Sequence, residues 1–116
     1  MNTQSADNKE ARRLLSFIEE FRKLSPNIQA GQIVIFLHIA SKPGISLKEL
    51  ERRTGLSSTA VSRNVLALSE WVKKDVPGHN LVETYDDLDD RRNKLVKLKV
   101  AGNRIYDTLL NLVRSE

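Results

Sequence analysis

Apolar positions in this chain recur first at helical spacing, then in alternation, then at helical spacing again. From about Asp7 to Ser25, Leu14, Leu15, Phe17, Ile18, Phe21 and Leu24 share one side of a predicted helix. Arg12, Arg13, Glu19, Glu20, Arg22 and Lys23 fill the other side, and Ser25-Pro26-Asn27 ends the segment. A second helix is predicted from Ile28 or Gln29 to Ser41. Ile33, Val34, Ile35, Phe36, Leu37 and Ile39 make it apolar on most sides, which predicts a central element covered from several directions. Gly31 inside it costs about 1 kcal/mol relative to Ala, which points to a close helix contact. Lys42-Pro43-Gly44 ends it.

A short third helix starts at Ser46. Ser46-Leu47-Lys48-Glu49 fits a capping box, in which the hydroxyl accepts from a free backbone N–H and the Glu reaches back to the cap. Gly55 supplies the left-handed stop. Ser57 is the next N-cap, and the fourth helix is predicted to run to about Trp71 or Lys73. Val61, Val65, Leu66 and Leu68 form its buried side, with Ser58, Thr59, Ser62, Arg63 and Asn64 largely opposite. Asp75 to Asn80 reads as a loop. Leu81 to Asp86 alternates and predicts a strand, Asp87 to Asp90 a turn, and Arg92 to Val100 a return strand with Val96, Leu98 and Val100 on one face. Ala101 to Arg114 closes the chain as a helix with Ile105, Leu109, Leu112 and Val113 as its stripe. The class is mainly α (α+β): about five helices plus a β-hairpin, in one domain over 1–116.

Composition narrows the function classes. Hydrophobic residues are 40% and charged residues 29% of 116, an ordinary globular balance. No apolar run is long enough for a bilayer, and Met1 to Lys9 lacks a signal-peptide stretch, so the expected compartment is the cytoplasm. There is no cysteine, and the two histidines, His38 and His79, are far apart in sequence. No metal cluster, phosphate-cradling glycine loop or nucleophile–base pair stands out, so neither enzyme, cofactor nor metal site is expected. The acidic run at the hairpin lacks the ligand spacing of a calcium loop. The net charge of +4 leans toward a polyanionic partner, but weakly.

The informative stretch is Leu47 to Val65. Two capped helices flank a turn containing Gly55, the layout of a helix-turn-helix. The first turn of the second helix is small and polar, which permits close approach to a major groove. Arg63 can donate two hydrogen bonds to guanine O6 and N7. Ser57, Ser58, Thr59, Ser62 and Asn64 can reach base edges or phosphates, helped by the positive helix terminus. Arg53 completes the set on the preceding helix.

With the hairpin added, the chain resembles the MarR family of winged helix-turn-helix regulators over roughly residues 28–105. The family's wing pattern Asp-x-x-Asp-x-Arg is matched by Asp87, Asp90 and Arg92. Its Leu-Thr-x-x-Gly pattern is matched at Leu98 and Gly102, with Lys99 in place of Thr. The resemblance implies a two-fold homodimer on double-stranded DNA, with the recognition helix (about 57–71) in the major groove and the wing (86–94) in the minor groove. It implies that Arg92 enters the minor groove, oriented by Asp90, with Arg91 and Lys94 on phosphates. A narrow minor groove attracts Arg, and the acids Asp86, Asp87, Asp89 and Asp90 are tolerable near DNA if they hold the arginines. Segments 7–25 and 101–115 are the implied dimerisation helices. Family members bind small anionic or aromatic effectors; nothing in the residues identifies one here.

The chain departs from the family in three ways. Trp71 to His79 is a longer connection than usual: either the recognition helix is extended, with Lys73, Lys74 and His79 adding backbone contacts, or a loop bulges. Trp71 itself is expected in the core. The C-terminal part is a single helix, and Lys99 lacks the expected capping hydroxyl. Two functions remain: a sequence-specific transcription regulator, expected as a repressor, and a winged-helix module that binds protein or binds DNA without sequence preference.

Overall fold

The computed structural model describes residues 8–114, so Asp7 and Ser115, at the outer limits of the expected terminal helices, lie outside the described residues. The order is α1 (Lys9–Arg22), α2 (Ala30–Ser41), β1 (Ile45–Ser46), α3 (Leu47–Thr54), α4 (Ser58–Leu68), β2 (Trp71–Lys73), β3 (Val76–Pro77), β4 (Val82–Asp86), β5 (Lys94–Leu98) and α5 (Val100–Arg114). The expected five helices and hairpin are present. β4 and β5 pair antiparallel, and β1, a strand that local patterning does not predict, adds to the far side of β5.

One core joins the elements. Phe21, Ile35, Phe36, Ile39, Ile45, Leu50, Val61, Val65, Leu68, Leu81, Val82, Val96 and Leu109 are buried together. Phe21 meets Phe36 edge to face, with centroids 5.5 Å apart, a geometry that sets a positive ring edge against a negative face. The central helix is not covered all round. Val34 and Leu37 are exposed and, with His38 and Ser41, line an open depression. Gly31 does mark a close helix contact: a Cβ there lies 3.0 Å from the Asn64 carboxamide of α4.

The largest correction falls after α4. The helix ends at Leu68, short of Trp71, and the segment that follows is neither more helix nor a bulging loop. It is a small hairpin, with Lys73 opposite Val76 and a turn at Lys74-Asp75. Asp75 and Asn80 adopt left-handed backbone conformations (φ 61° and 58°), which Asp and Asn tolerate because their short polar side chains bond locally. The chain then returns over the end of α4. The N–H groups of Gly78, His79, Asn80 and Leu81 donate to the carbonyls of Glu70, Ala67, Ser69 and Leu68 at 2.7–3.0 Å. Helix ends leave carbonyls without partners, and here the returning segment between β3 and β4 supplies the donors. Gly78 permits it, because a Cβ at that position meets the Ser69 carbonyl oxygen at 2.1 Å.

Two side chains on this stretch are exposed rather than buried: Trp71 (52%) and Leu66 (43%). The return strand ends at Leu98, and Val100 opens α5 as an exposed residue rather than lining the sheet. Without a hydroxyl at position 99, α5 is positioned by other bonds. Lys99 N–H donates to the Leu81 carbonyl at 2.8 Å, and its amine to Asn80 Oδ1 at 2.7 Å. Gly102 lets the helix close on the same carbonyl, which a Cβ meets at 2.3 Å.

Candidate nucleic-acid interface

α3 and α4 are separated by a tight, self-satisfied turn. Ser46 Oγ accepts from Glu49 N–H at 3.0 Å, and Ser57 Oγ accepts from Ala60 N–H at 3.1 Å. Gly55 sits at φ 74°, and Thr54 Oγ1 links the Leu50 carbonyl to the Leu56 N–H at 2.7 and 3.1 Å. Both N-caps are therefore present, but the capping box is only half made. The Glu49 carboxylate turns instead to Arg52 and to Arg53 Nε, the latter at 2.9 Å. Those guanidinium hydrogen bonds lower the Glu49 pKa from its ordinary 4.5 to about 2. Arg53 is thus tied to α3.

On α4, Ser57, Ser58, Thr59, Ser62 and Arg63 are exposed. Among the described residues Arg63 has no hydrogen-bond or ion-pair partner. Asn64 is a correction: it is half-buried, with its carboxamide against Gly31 of α2. One turn of helix advances 3.6 residues, which places position 64 between the exposed strip of 58, 59, 62 and 63 and the buried strip of 61, 65 and 68.

The hairpin tip is organised by its carboxylates. Asp87 Oδ1 accepts from Asp89 N–H at 2.9 Å, a side-chain turn. Asp90 Oδ1 accepts from both the backbone N–H and Nε of Arg92 at 3.1 Å, and Oδ2 from Nη2 at 3.3 Å. The Arg92 side chain is 90% exposed yet fixed at its base. Asp90 titrates below its usual range, chiefly through the Arg92 hydrogen bonds, with a further contribution from the charge of Lys48. Lys94 pairs with Asp86, its opposite number in the strand register. Arg91 is exposed at the tip.

Helix and hairpin share a cleft of about 200 Å³. Ser62, Val65 and Leu66 of α4 lie on one side, and Leu47, Thr84 and Lys94 on the other. A grip on two adjacent surfaces of one ligand needs this juxtaposition. Lys73 and Lys74 sit past the C-terminal end of α4, opposite from Ser57. Lys48 has no signal in the sequence, because its relation to Asp90 joins α3 to the hairpin tip and only folding brings them near.

The backbone places this chain among solved winged-helix proteins. It is similar to S. aureus MepR, solved as a DNA complex, with a TM-score of 0.67 and 15% identity over 90% of this chain and 76% of that one. A mutant MarR from E. coli complexed with operator DNA gives 0.60 and 25%, over 90% and 71%. A MarR transcriptional regulator from Methanosarcina mazei gives 0.63 and 17%, over 91% and 76%. The fold is the MarR-type winged helix. No family model and no curated protein matches the chain. In this fold α3 and α4 form the helix-turn-helix and β4–β5 the hairpin wing. Among the described residues, no helix is long and apolar enough to cross a membrane, and no group of three or more His, Asp or Glu is placed to hold a metal ion.

Proposed function

We propose that this protein is a sequence-specific transcription regulator that binds double-stranded DNA as a homodimer. The observation that carries the reading is the pairing of two unlike arginines. Arg63 stands free on a capped helix, and Arg92 is extended from a wing tip with its base clamped by Asp90. Freedom suits a side chain that must meet a guanine edge, and a fixed base suits one that must enter a narrow groove without losing much rotamer entropy. Ser57, Ser58, Thr59 and Ser62 then contact phosphates or base edges, with Arg91 and Lys94 on the backbone. That MepR and MarR, with the same fold, are solved on DNA supports the reading.

Arg53 and Asn64 act in this reading by position. Arg53 adds positive charge from α3, and Asn64 seats α4 on α2. A repressor is the simplest regulator of this kind, since a dimer covering its site excludes other proteins from that duplex.

The dimer reading rests on α1 and α5. They pack on one another within one chain, yet Leu14 (66%), Leu15, Ile18 and Val113 remain exposed along them. Glu10, Arg13, Leu14, Phe17 and Val113 line one depression there. A two-fold partner offering the same stripe covers these residues. Sedimentation at micromolar concentration is expected to give a dimer, and Ile18→Glu a monomer.

Selection of duplexes from a random pool, followed by gel shift, tests the function. The selected duplex is expected to bind about 10³-fold or more tighter than random duplex. Equal binding to both removes the sequence-specific reading.

A further inference from the structure

We propose that the open edge of β4 is a docking site for an extended peptide segment of a partner protein, one presenting an apolar side chain flanked by lysine or arginine. The groove shares Leu66 and Thr84 with the cleft between α4 and the wing, but the proposal is argued from strand-edge geometry and charge, not from Arg63 or Arg92.

The first observation is backbone direction. In an antiparallel ladder, the N–H and C=O of one residue point to the same side, and alternate residues point to opposite sides. The Val96 carbonyl accepts from Gly44 N–H at 3.0 Å, so Val96 is turned toward β1. Its partner in register is Thr84, which is therefore turned away from β5. Two bonds at the ends of β4 agree. Leu81 accepts from Lys99 N–H at 2.8 Å, and Asp87 donates to the Asn93 carbonyl at 3.2 Å, so the odd positions face β5. The even positions Thr84 and Asp86 carry their main-chain groups on the outer edge. Both residues are exposed, and among the described residues no other main-chain group bonds to them there.

A groove of about 330 Å³ runs along that edge. Val82, Glu83 and Thr84 all line it. Consecutive strand residues point to opposite faces, so a groove touched by three in a row lies beside the strand, not above it. The opposite wall is Leu66, Ser69, Glu70 and Trp71. The two largest apolar side chains left exposed by the β2–β3 hairpin and the end of α4 thus face an unpaired strand. An added strand obtains main-chain bonds from Thr84 and Asp86, and its alternate side chains reach the Leu66–Trp71 wall.

Charge selects the partner. Glu70 and Glu83 border the groove with no ion-pair partner among the described residues; Lys97, opposite Glu83 in register, lies over the Tyr85 ring, and Lys99, the one cation in the lining, keeps its charge but has its amine held by Asn80, so the lining is net acidic by one charge. This is an acidic rim on a chain of net charge +4. It disfavours phosphate and favours a peptide with basic residues around its apolar anchor.

Trp71 is the only tryptophan, so its emission reports on the groove directly. The probe is a capped octapeptide alternating lysine with valine and one phenylalanine. It is compared with a glutamate-for-lysine version and one N-methylated at alternate backbone nitrogens. The expected result is a saturable blue shift of Trp71 emission with slowed amide exchange at Thr84 and Asp86. The two control peptides are expected to bind at least about tenfold more weakly. The Glu70→Lys, Glu83→Lys double variant is expected to reverse the charge preference, and Thr84→Pro, tolerated on an edge strand, to abolish protection at Asp86. No emission change and no protection up to about 1 mM peptide, the weak end of specific affinity, overturns the proposal. So does equal binding of either control peptide. A DNA duplex that protects Thr84 and shifts Trp71 emission as the peptide does assigns the groove to nucleic acid and also overturns it. Loss of DNA binding by Arg63→Ala leaves the groove result unaffected, so the two readings fail separately.

Discussion

The chain makes two hairpins within twenty-odd residues, and they are held in opposite ways. The wing tip from Asp87 to Arg92 is held by carboxylates in solvent, through side-chain turns and the Asp90–Arg92 clamp. The β2–β3 hairpin is held by main-chain N–H groups closing over the end of α4, with Gly78 pressed against carbonyl oxygens. Exposed ion pairs contribute little to stability, so the wing tip is suited to orienting a side chain rather than to holding the fold together. Buried or capped carbonyls are costly to leave without partners, so the second hairpin is a structural closure. One is tuned by charge and pH, the other by sterics.

The sharpest break of that comparison is Gly78→Ala. The added Cβ meets the Ser69 oxygen at 2.1 Å and the Ala67 oxygen at 2.8 Å, so the backbone must move. We expect a loss of about 3 kcal/mol, or roughly 10–20 °C in Tm, by thermal unfolding. An unchanged Tm would mean the return over α4 is not tightly closed. Next in size is Arg63→Ala, expected to weaken binding to a selected duplex by about 1–3 kcal/mol and relax preference at one base pair, with Tm unchanged.

At the wing, Arg92→Ala is expected to weaken binding and to reduce the steepness of log K against log salt by up to about one, because one fewer protein cation displaces counterions from the duplex. Asp90→Asn keeps Arg92 and is expected to give a smaller loss that leaves that slope in place. If both variants behave alike, Asp90 does more than orient Arg92. The smallest effect is titration of the clamps. A carboxylate whose folded pKa is depressed contributes stability above its unfolded value and loses it as pH falls through the folded one. For Glu49 the window runs from 4.5 down to about 2. Asp90 loses its clamp as pH falls below the ordinary carboxylate range. Carboxyl carbon shifts followed by NMR are expected to report both, with no change in the fold above that window.

The candidate interface was legible in part. Ser57 and Ser46 as caps and Gly55 as the stop follow from local chemistry, because a cap is satisfied within three residues. The Asp90–Arg92 clamp is equally local, spanning two positions, and it falls within the family-like wing pattern. Asn64 is not legible, because helical periodicity assigns a boundary position to neither face. The neighbour that decides it is Gly31, on another helix. The same blindness affects Glu49: sequence spacing allows it to reach back to the cap or forward to Arg52 and Arg53, and two guanidinium partners outweigh one backbone N–H.

Periodicity and punctuation determined the helices, the alternating strands, the turn residues and the winged-helix order, because each is a property of neighbours three or four residues apart. Tertiary structure alone decided where α4 stops. Val72 and Lys73 are compatible with more helix, and what ends it is the returning segment Gly78 to Leu81, whose N–H groups satisfy the open carbonyls. Trp71 is apolar enough for a core, but the hairpin it joins lies outside that core, so the side chain is left beside the open edge of β4. Burial and strand edges depend on which distant segments come to cover a surface, and that information is not carried by any local stretch of sequence.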